Sequence, residues 1–118
     1  MVIILKPQAP QEFILERERG TERPSVFVYR TLTPDELADV VDSTASTRGG
    51  EIIFHHAKAA LKVLRLALIG WRDVMDENGV EVPFPGADEA IAMLSEEDRT
   101  EIAQAIRFGS EVTADEGE

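Results

Sequence analysis

The stretch from Glu51 to Ile69 constrains this chain more than any other. Phe54, Ala57, Leu61, Leu64 and Leu68 recur at three- and four-residue steps, and His55, Lys58, Lys62 and Arg65 recur at the same steps on one narrow stripe. Nearly every other position there is apolar. This periodicity predicts one long helix over 51–69, apolar around most of its circumference, and such a helix must be surrounded on most sides. It reads as the centre of the domain, with surface to spare for an oligomer or partner interface, and Gly70 reads as the residue that ends it. The interrupting charged residues rule out a membrane span, which needs about 20 mostly apolar residues.

The flanks divide by composition. The N-terminal third reads as strand and turn: a short run at Val2–Leu5 ending at Lys6-Pro7, a second at Glu12–Arg17, and the best at Ser25–Leu32, rich in β-branched and aromatic residues. Gly20 and Pro24 between the last two suggest a hairpin with a longish loop. Short strands cannot stand alone, so they must pack on a helix. Thr33-Pro34-Asp35-Glu36 is the clearest helix start in the chain: a Thr cap, Pro at the first position and Glu at the third. Leu37, Val40 and Val41 fall on one face at helical spacing, and it should stop near Asp42-Ser43. The small, polar, Gly-terminated segment Ser43–Gly50 reads as a mobile loop.

After Trp71, Asp76-Glu77-Asn78-Gly79 favours a turn with positive φ. Val80–Phe84 alternates, but Pro83 restricts it to an edge strand or an extended segment. Ala87–Leu94 suits a short helix. Ser95-Glu96-Glu97-Asp98 nearly forms a capping box and opens a helix bearing Ile102, Ala103, Ala105 and Ile106, ending at Gly109. Ser110–Glu118 holds acids and no base, and is expected to be a disordered tail. The fold class expected is α+β and mainly helical. A small N-terminal β element (1–32) packs beside three or four helices (33–109) in one domain.

Composition bounds function. The chain has 118 residues, enough for one modest core, and no cysteine, so disulfide and thiolate chemistry are excluded. Met1–Leu5 is too short for a signal peptide and lacks a basic flank. A formal net charge of −11 repels phosphate backbones and anionic membranes, so neither nucleic acid nor membrane is an expected partner. The charge is uneven. Acids dominate Trp71–Glu101, where the bases are Arg72 and Arg99, whereas the 51–69 helix is mildly basic.

No catalytic pattern stands out. His55 and His56 are neighbours and point about 100° apart on a helix, so a shared metal would need a carboxylate such as Glu51, one turn earlier. A calcium loop ending its turn at Gly79 would put Val74 at the first ligand position and Pro85 at the twelfth, which fails. No serine lies in a nucleophile-elbow context, and no phosphate-cradling Gly motif occurs. The chain is read as a non-enzyme without metal or cofactor. Trp71 reads as a half-buried core anchor or, alternatively, a partner contact, because tryptophan is enriched at interface hot spots.

Leu66-Ala-Leu-Ile-Gly-Trp-Arg-Asp-Val-Met-Asp-Glu-Asn-Gly-Val-Glu-Val-Pro-Phe84 resembles a segment of the tail assembly chaperone family of tailed phages and prophages. The shared pattern is an apolar helix, Gly-Trp, an Asp-x-x-Gly turn and a Val-Pro-Phe segment, followed by a helix like Leu94–Phe108. Phe27–Leu37, an apolar strand leading into a capped helix, fits as well. The resemblance covers most of residues 26–108, and Met1–Leu15 departs from it. It implies a chaperone that binds the tape-measure protein, keeps it soluble, and assists assembly of the tail-tube protein around it. It also implies the cytoplasm of the bacterial host and absence from the mature virion; a homo-oligomer is expected separately, because one helix this apolar exceeds what 118 residues can cover. In related systems a longer frameshifted form recruits the tube protein, and this chain would be the short form. Trp71, Phe54, Leu61, Leu68 and Phe84 are the candidate partner-binding residues, although most apolar positions of the main helix read first as core. Two other functions fit the composition: a structural virion component such as a head–tail connector or tail-completion protein, and an acidic DNA-mimic inhibitor.

Overall fold

The structure, a computed structural model, describes residues 10–116, with side chains through Ser110. Val2–Leu5 lies outside the described residues. In chain order the elements are β1 (Gln11–Phe13), a 3-10 turn (Glu16–Glu18), β2 (Val26–Tyr29), α1 (Pro34–Thr44), β3 (Ala45–Arg48), β4 (Glu51–Phe54), α2 (His56–Ala67), β5 (Leu68–Arg72), α3 (Ala87–Met93) and α4 (Glu96–Glu116).

The strongest local signals form as the sequence dictates. Thr33 caps α1 through a full capping box: its Oγ1 accepts from the Glu36 amide at 3.2 Å, and Glu36 accepts from the Thr33 amide at 3.0 Å. Glu36 also makes a two-pronged pair with Arg30 (2.7 and 2.9 Å), and the guanidinium, chiefly through that hydrogen bond, holds the Glu36 carboxyl down at about 2. β1 and β2 pair as an antiparallel hairpin, as expected, but the strand expected over Glu12–Arg17 is confined to Gln11–Phe13, and Glu16–Glu18 forms a 3-10 turn instead. Gly79 closes its turn at φ 77°, with Asp76 Oδ1 accepting from the Asn78 and Val80 amides. Ser95 Oγ caps α4 by accepting from the Asp98 amide.

The mainly helical class is not what forms. Among the described residues five strands make two antiparallel sheets beside four helices, a mixed α+β fold. The reason lies in the stretch read as one long helix over 51–69, which divides into β4, α2 and β5. At its front, the β-branched and aromatic run Glu51-Ile-Ile-Phe54 pairs with Ala45–Arg48, the segment expected to be a mobile loop. Gly49 and Gly50, at φ 60° and 84°, supply the two consecutive positive φ angles of a two-residue hairpin turn that matches strand twist. At its back, Leu68 and its neighbours leave the helix to pair with the open edge of β2, completing the sheet in the order β1-β2-β5. Gly70 is therefore a strand residue opposite Val28 and ends no helix. Only the middle, His56–Ala67, keeps the helical period, burying Ala59, Ala60, Val63, Leu64 and Ala67.

α4 runs on through Gly109, where an end was expected, to Glu116. A glycine inside a helix costs only about 1 kcal/mol, and tertiary bonds offset it. Ser110, assigned from sequence to a disordered tail, is 1% exposed. Its Oγ donates to the Ile106 carbonyl (2.8 Å) and accepts from the Leu32 amide (2.7 Å).

One core cluster joins Leu15, Phe27, Leu32, Val40, Val63, Leu64, Leu68, Trp71, Ile91, Ile102 and Ile106. α2 lies at its centre and packs on α1, α3 and above all α4. The N-terminal segment is tied to α4 by the Arg17–Asp98 ion pair and by the Glu16 amide on Glu101 (2.9 Å), and to β5 by Arg72 on Glu12.

Candidate protein-binding surface

The buried alanines and valine of α2 turn one face of that helix inward, so Lys58, Leu61, Lys62, Arg65 and Leu66 are left on the outer side. With Ser43 and Thr44 from the last turn of α1 they line a cleft of about 490 Å³. Leu61 and Leu66 are half-buried and flank, on opposite sides, the row formed by Lys58, Lys62 and Arg65. Lys58 and Arg65 are exposed. Lys62 reaches across to α1, bonding Ser43 Oγ (2.7 Å) and Asp39 (2.6 Å), while Arg65 faces Asp88 of α3 at 3.4 Å. Lys58 makes no ion pair among the described residues. On the other side of Leu61 a smaller hollow of about 210 Å³ lies against Glu96, Arg99 and Thr100 at the start of α4.

The β3–β4 hairpin rises from the end of this cleft. Its root is fixed where the His55 amide donates to the Thr44 carbonyl (2.8 Å). Beyond the root its main neighbours are its own two strands. Ile52 near its tip is 81% exposed, the largest exposure of any big apolar residue described.

The five residues expected to meet a partner separate clearly. Leu61 lies in the cleft. Phe54 is half-buried at the hairpin root, edge-on to His56 at 4.8 Å and under the Arg107 guanidinium at 5.4 Å. Leu68 is 2% exposed in β5 and belongs to the core. Trp71 is 9% exposed; its ring meets Phe27 at 6.2 Å and Phe84 at 5.3 Å, both edge-on, and its Nε1 donates to the Val82 carbonyl at 2.8 Å. Phe84 is half-buried against that tryptophan. The string Gly-Trp…Pro-Phe thus builds a core corner: the extended segment after the turn folds back so that Phe84 covers the indole and Val82 satisfies its N–H. A partner could reach Trp71 only by displacing that segment.

The exposed apolar residues Ile52, Phe108, Val80 and Met93 escaped the sequence reading. Ile52 carried a signal, because Glu51–Phe54 behind a Gly-Gly pair is itself a hairpin pattern. Phe108 carried one as well, since on helical period it falls on the face opposite the core positions Ile102 and Ile106.

The chemistry tests resolve into geometry. His55 Nε2 lies 2.8 Å from Ser46 Oγ across the hairpin, a juxtaposition that sequence spacing hid. No carboxylate bonds that imidazole among the described residues, so the orienting group of a nucleophile–base pair is lacking. Glu51, imagined one helical turn before His55, instead pairs with Arg48 beside the hairpin turn. Among the described residues no group of three His, Asp or Glu could hold a metal ion, and no helix is long and apolar enough to cross a membrane. The displaced carboxyl pKa values, at Glu12, Glu36 and Asp98, all have an arginine as their leading cause and lie in ion pairs away from the cleft.

Comparison of the chain with family models, curated proteins and solved structures finds no match.

Proposed function

We propose that this chain is a protein-binding domain that works as a tail assembly chaperone. Its client is the tape-measure protein, a long helical chain that must stay soluble until tail-tube subunits assemble around it. The reading rests on the likeness of Leu66–Phe84 and its flanks to that family, and the observation that carries it in the molecule is the outer face of α2. A cleft bordered by Leu61 and Leu66, continued by a hairpin that offers Ile52 to solvent, is where an amphipathic helix or an extended segment could be held. The acidic remainder of the surface, at a net charge of −11, would keep such a complex dispersed. Binding rather than catalysis fits the Ser46–His55 pair, which has no third member. The protein would act in the bacterial cytoplasm as a homo-oligomer and leave before the particle is complete.

Co-expression with the large helical protein encoded downstream tests this. The expected result is that the client becomes soluble and co-purifies, and that Ile52→Lys, at an exposed position, weakens the effect while leaving the fold intact. If the client stays insoluble and this chain is found in finished particles, the chaperone reading is wrong and a structural virion role replaces it.

A further inference from the structure

The β3–β4 hairpin leaves the outer edge of β4 without a neighbouring strand among the described residues. Arg48 and Glu51 face each other beside the Gly49-Gly50 turn, followed by Thr47 with Ile52, Ser46 with Ile53 and Ala45 with Phe54. In a two-residue hairpin the pair flanking the turn is bonded to itself, so alternation sends the amides and carbonyls of Ile52 and Phe54 outward, away from β3. Sheets commonly blunt such an edge with a lysine, a proline or a bulge. β4 has none of these: Ile52, Ile53 and Phe54 follow one another without a charge, and the register with β3 is regular. We propose that this edge pairs antiparallel with β4 of a second copy of the chain, joining two hairpins into one four-stranded sheet. The proposal rests on the homo-oligomer of the chaperone reading and names the surface that forms it.

Two observations favour a second copy as the occupant. The first is register. The outward groups of Ile52 and Phe54 are satisfied when Ile52 lies opposite Phe54 of the second copy, which puts Ile53 opposite its own copy on the two-fold axis. Opposite residues share a face of the sheet, so Ile52, 81% exposed in the single chain, is brought against the Phe54 ring of the second copy. Glu51 then lies opposite His55, and no like charges meet. The second is charge. Copies of a chain with net charge −11 repel one another over most of their surface. The hairpin carries Arg48 against Glu51, and Glu51 is the one acid in 43–66, so two copies meet here without bringing carboxylates together. Strands this short bury little area, and the association is weak and concentration-dependent.

The test uses the full chain. Sedimentation velocity between about 1 μM and 1 mM should show a monomer passing into a dimer. Ile52→Lys should weaken that association at least about tenfold, with circular dichroism confirming an unchanged fold. The chain has no cysteine, so a single introduced one reports the register. At Ile53→Cys the two Cα atoms would lie about 4.5 Å apart, within reach of a disulfide, and mild oxidation should give a cross-linked dimer. Ser46→Cys, the paired position on β3, would lie about 14 Å from its copy and should stay unlinked. A parent that remains monomeric, an Ile52→Lys dimer as tight as the parent's, or cross-linking of Ser46→Cys as fast as that of Ile53→Cys overturns the inference. So does a monomeric parent that solubilises the client and loses this with Ile52→Lys, which gives the edge to the client and leaves the chaperone reading standing. A dimer with the expected cross-link whose client stays insoluble keeps the interface and removes the chaperone reading.

Discussion

The two sheets of this molecule are built from similar material and held in opposite ways. In β1-β2-β5 the central strand has a neighbour on each edge, and its face is pressed on a core where Phe27 is 2% exposed and meets Trp71 edge-on. In β3–β4 each strand has one neighbour, and Ile52 stands in water at 81% exposure. Both are rich in β-branched and aromatic residues. What separates them is whether another element arrives to cover them, and a two-stranded hairpin without cover is marginal in water. The body is therefore where stability resides, and the hairpin with its adjoining cleft is where the molecule can change without unfolding.

The contrast can be broken most severely at Phe27. Phe27→Ala should cost about 3–5 kcal/mol by removing the ring that faces Trp71, measured as the shift of a urea midpoint. A next, smaller break is Gly109→Ala. A Cβ there would lie 2.8 Å from Tyr29 Oη, so the usual helical gain of about 1 kcal/mol should become a loss of about 1–2 kcal/mol. In a Tyr29→Phe background the nearest remaining atom is the ring carbon at 3.7 Å, and the same substitution should stabilise. A gain in both backgrounds would mean that α4 does not approach β2 as closely as described.

Glu36→Gln should cost about 1 kcal/mol near neutral pH, since it weakens one half of the capping box and the pair with Arg30. The pH dependence has a definite sign. The folded carboxyl is held down at about 2 against an ordinary 4.5, so its contribution is complete above pH 4.5 and fades as pH falls toward 2. Urea midpoints between pH 2 and 6 should therefore converge for the variant and the parent at the acid end. The smallest effect is expected at the hairpin. Ile52→Lys should change stability by less than about 0.5 kcal/mol, and amide exchange should be faster in 45–54 than in 26–29. A large loss on Ile52→Lys would show that the hairpin is part of the cooperative core.

What could be read from the sequence follows the range of the interactions involved. The α1 cap, the β1–β2 hairpin, the turn at Gly79 and the short helix at 87–93 are each specified within a few residues, and they appear where expected. The front of the 51–69 split had a local signal in the Gly-Gly pair before Glu51–Phe54, but its back was not legible, because leucines at positions 61, 64 and 68 satisfy helical period whether or not the last of them turns into a strand. The deciding partner of Leu68 is Tyr29, far away in sequence. The candidate surface was half legible. The stripe of Lys58, Lys62 and Arg65 and the role of Leu61 follow from spacing alone. That Trp71 would be enclosed depends on Phe84 and Val82 folding back over β5, which no local pattern announces.

The bond between the Leu32 amide and Ser110 spans 78 residues, and the Arg17–Asp98 pair spans 81. These links set a timetable for the chain during synthesis. The first hairpin and α1 can form while the rest is still being made, but the sheet lacks its third strand until Arg72 has emerged, and the N-terminal segment lacks its anchor until Asp98 has. A nascent chain therefore exposes Phe27 and Leu32 to its surroundings until those later segments have emerged. Closure of the core is a late event, dominated by long-range contacts, and should set the folding rate.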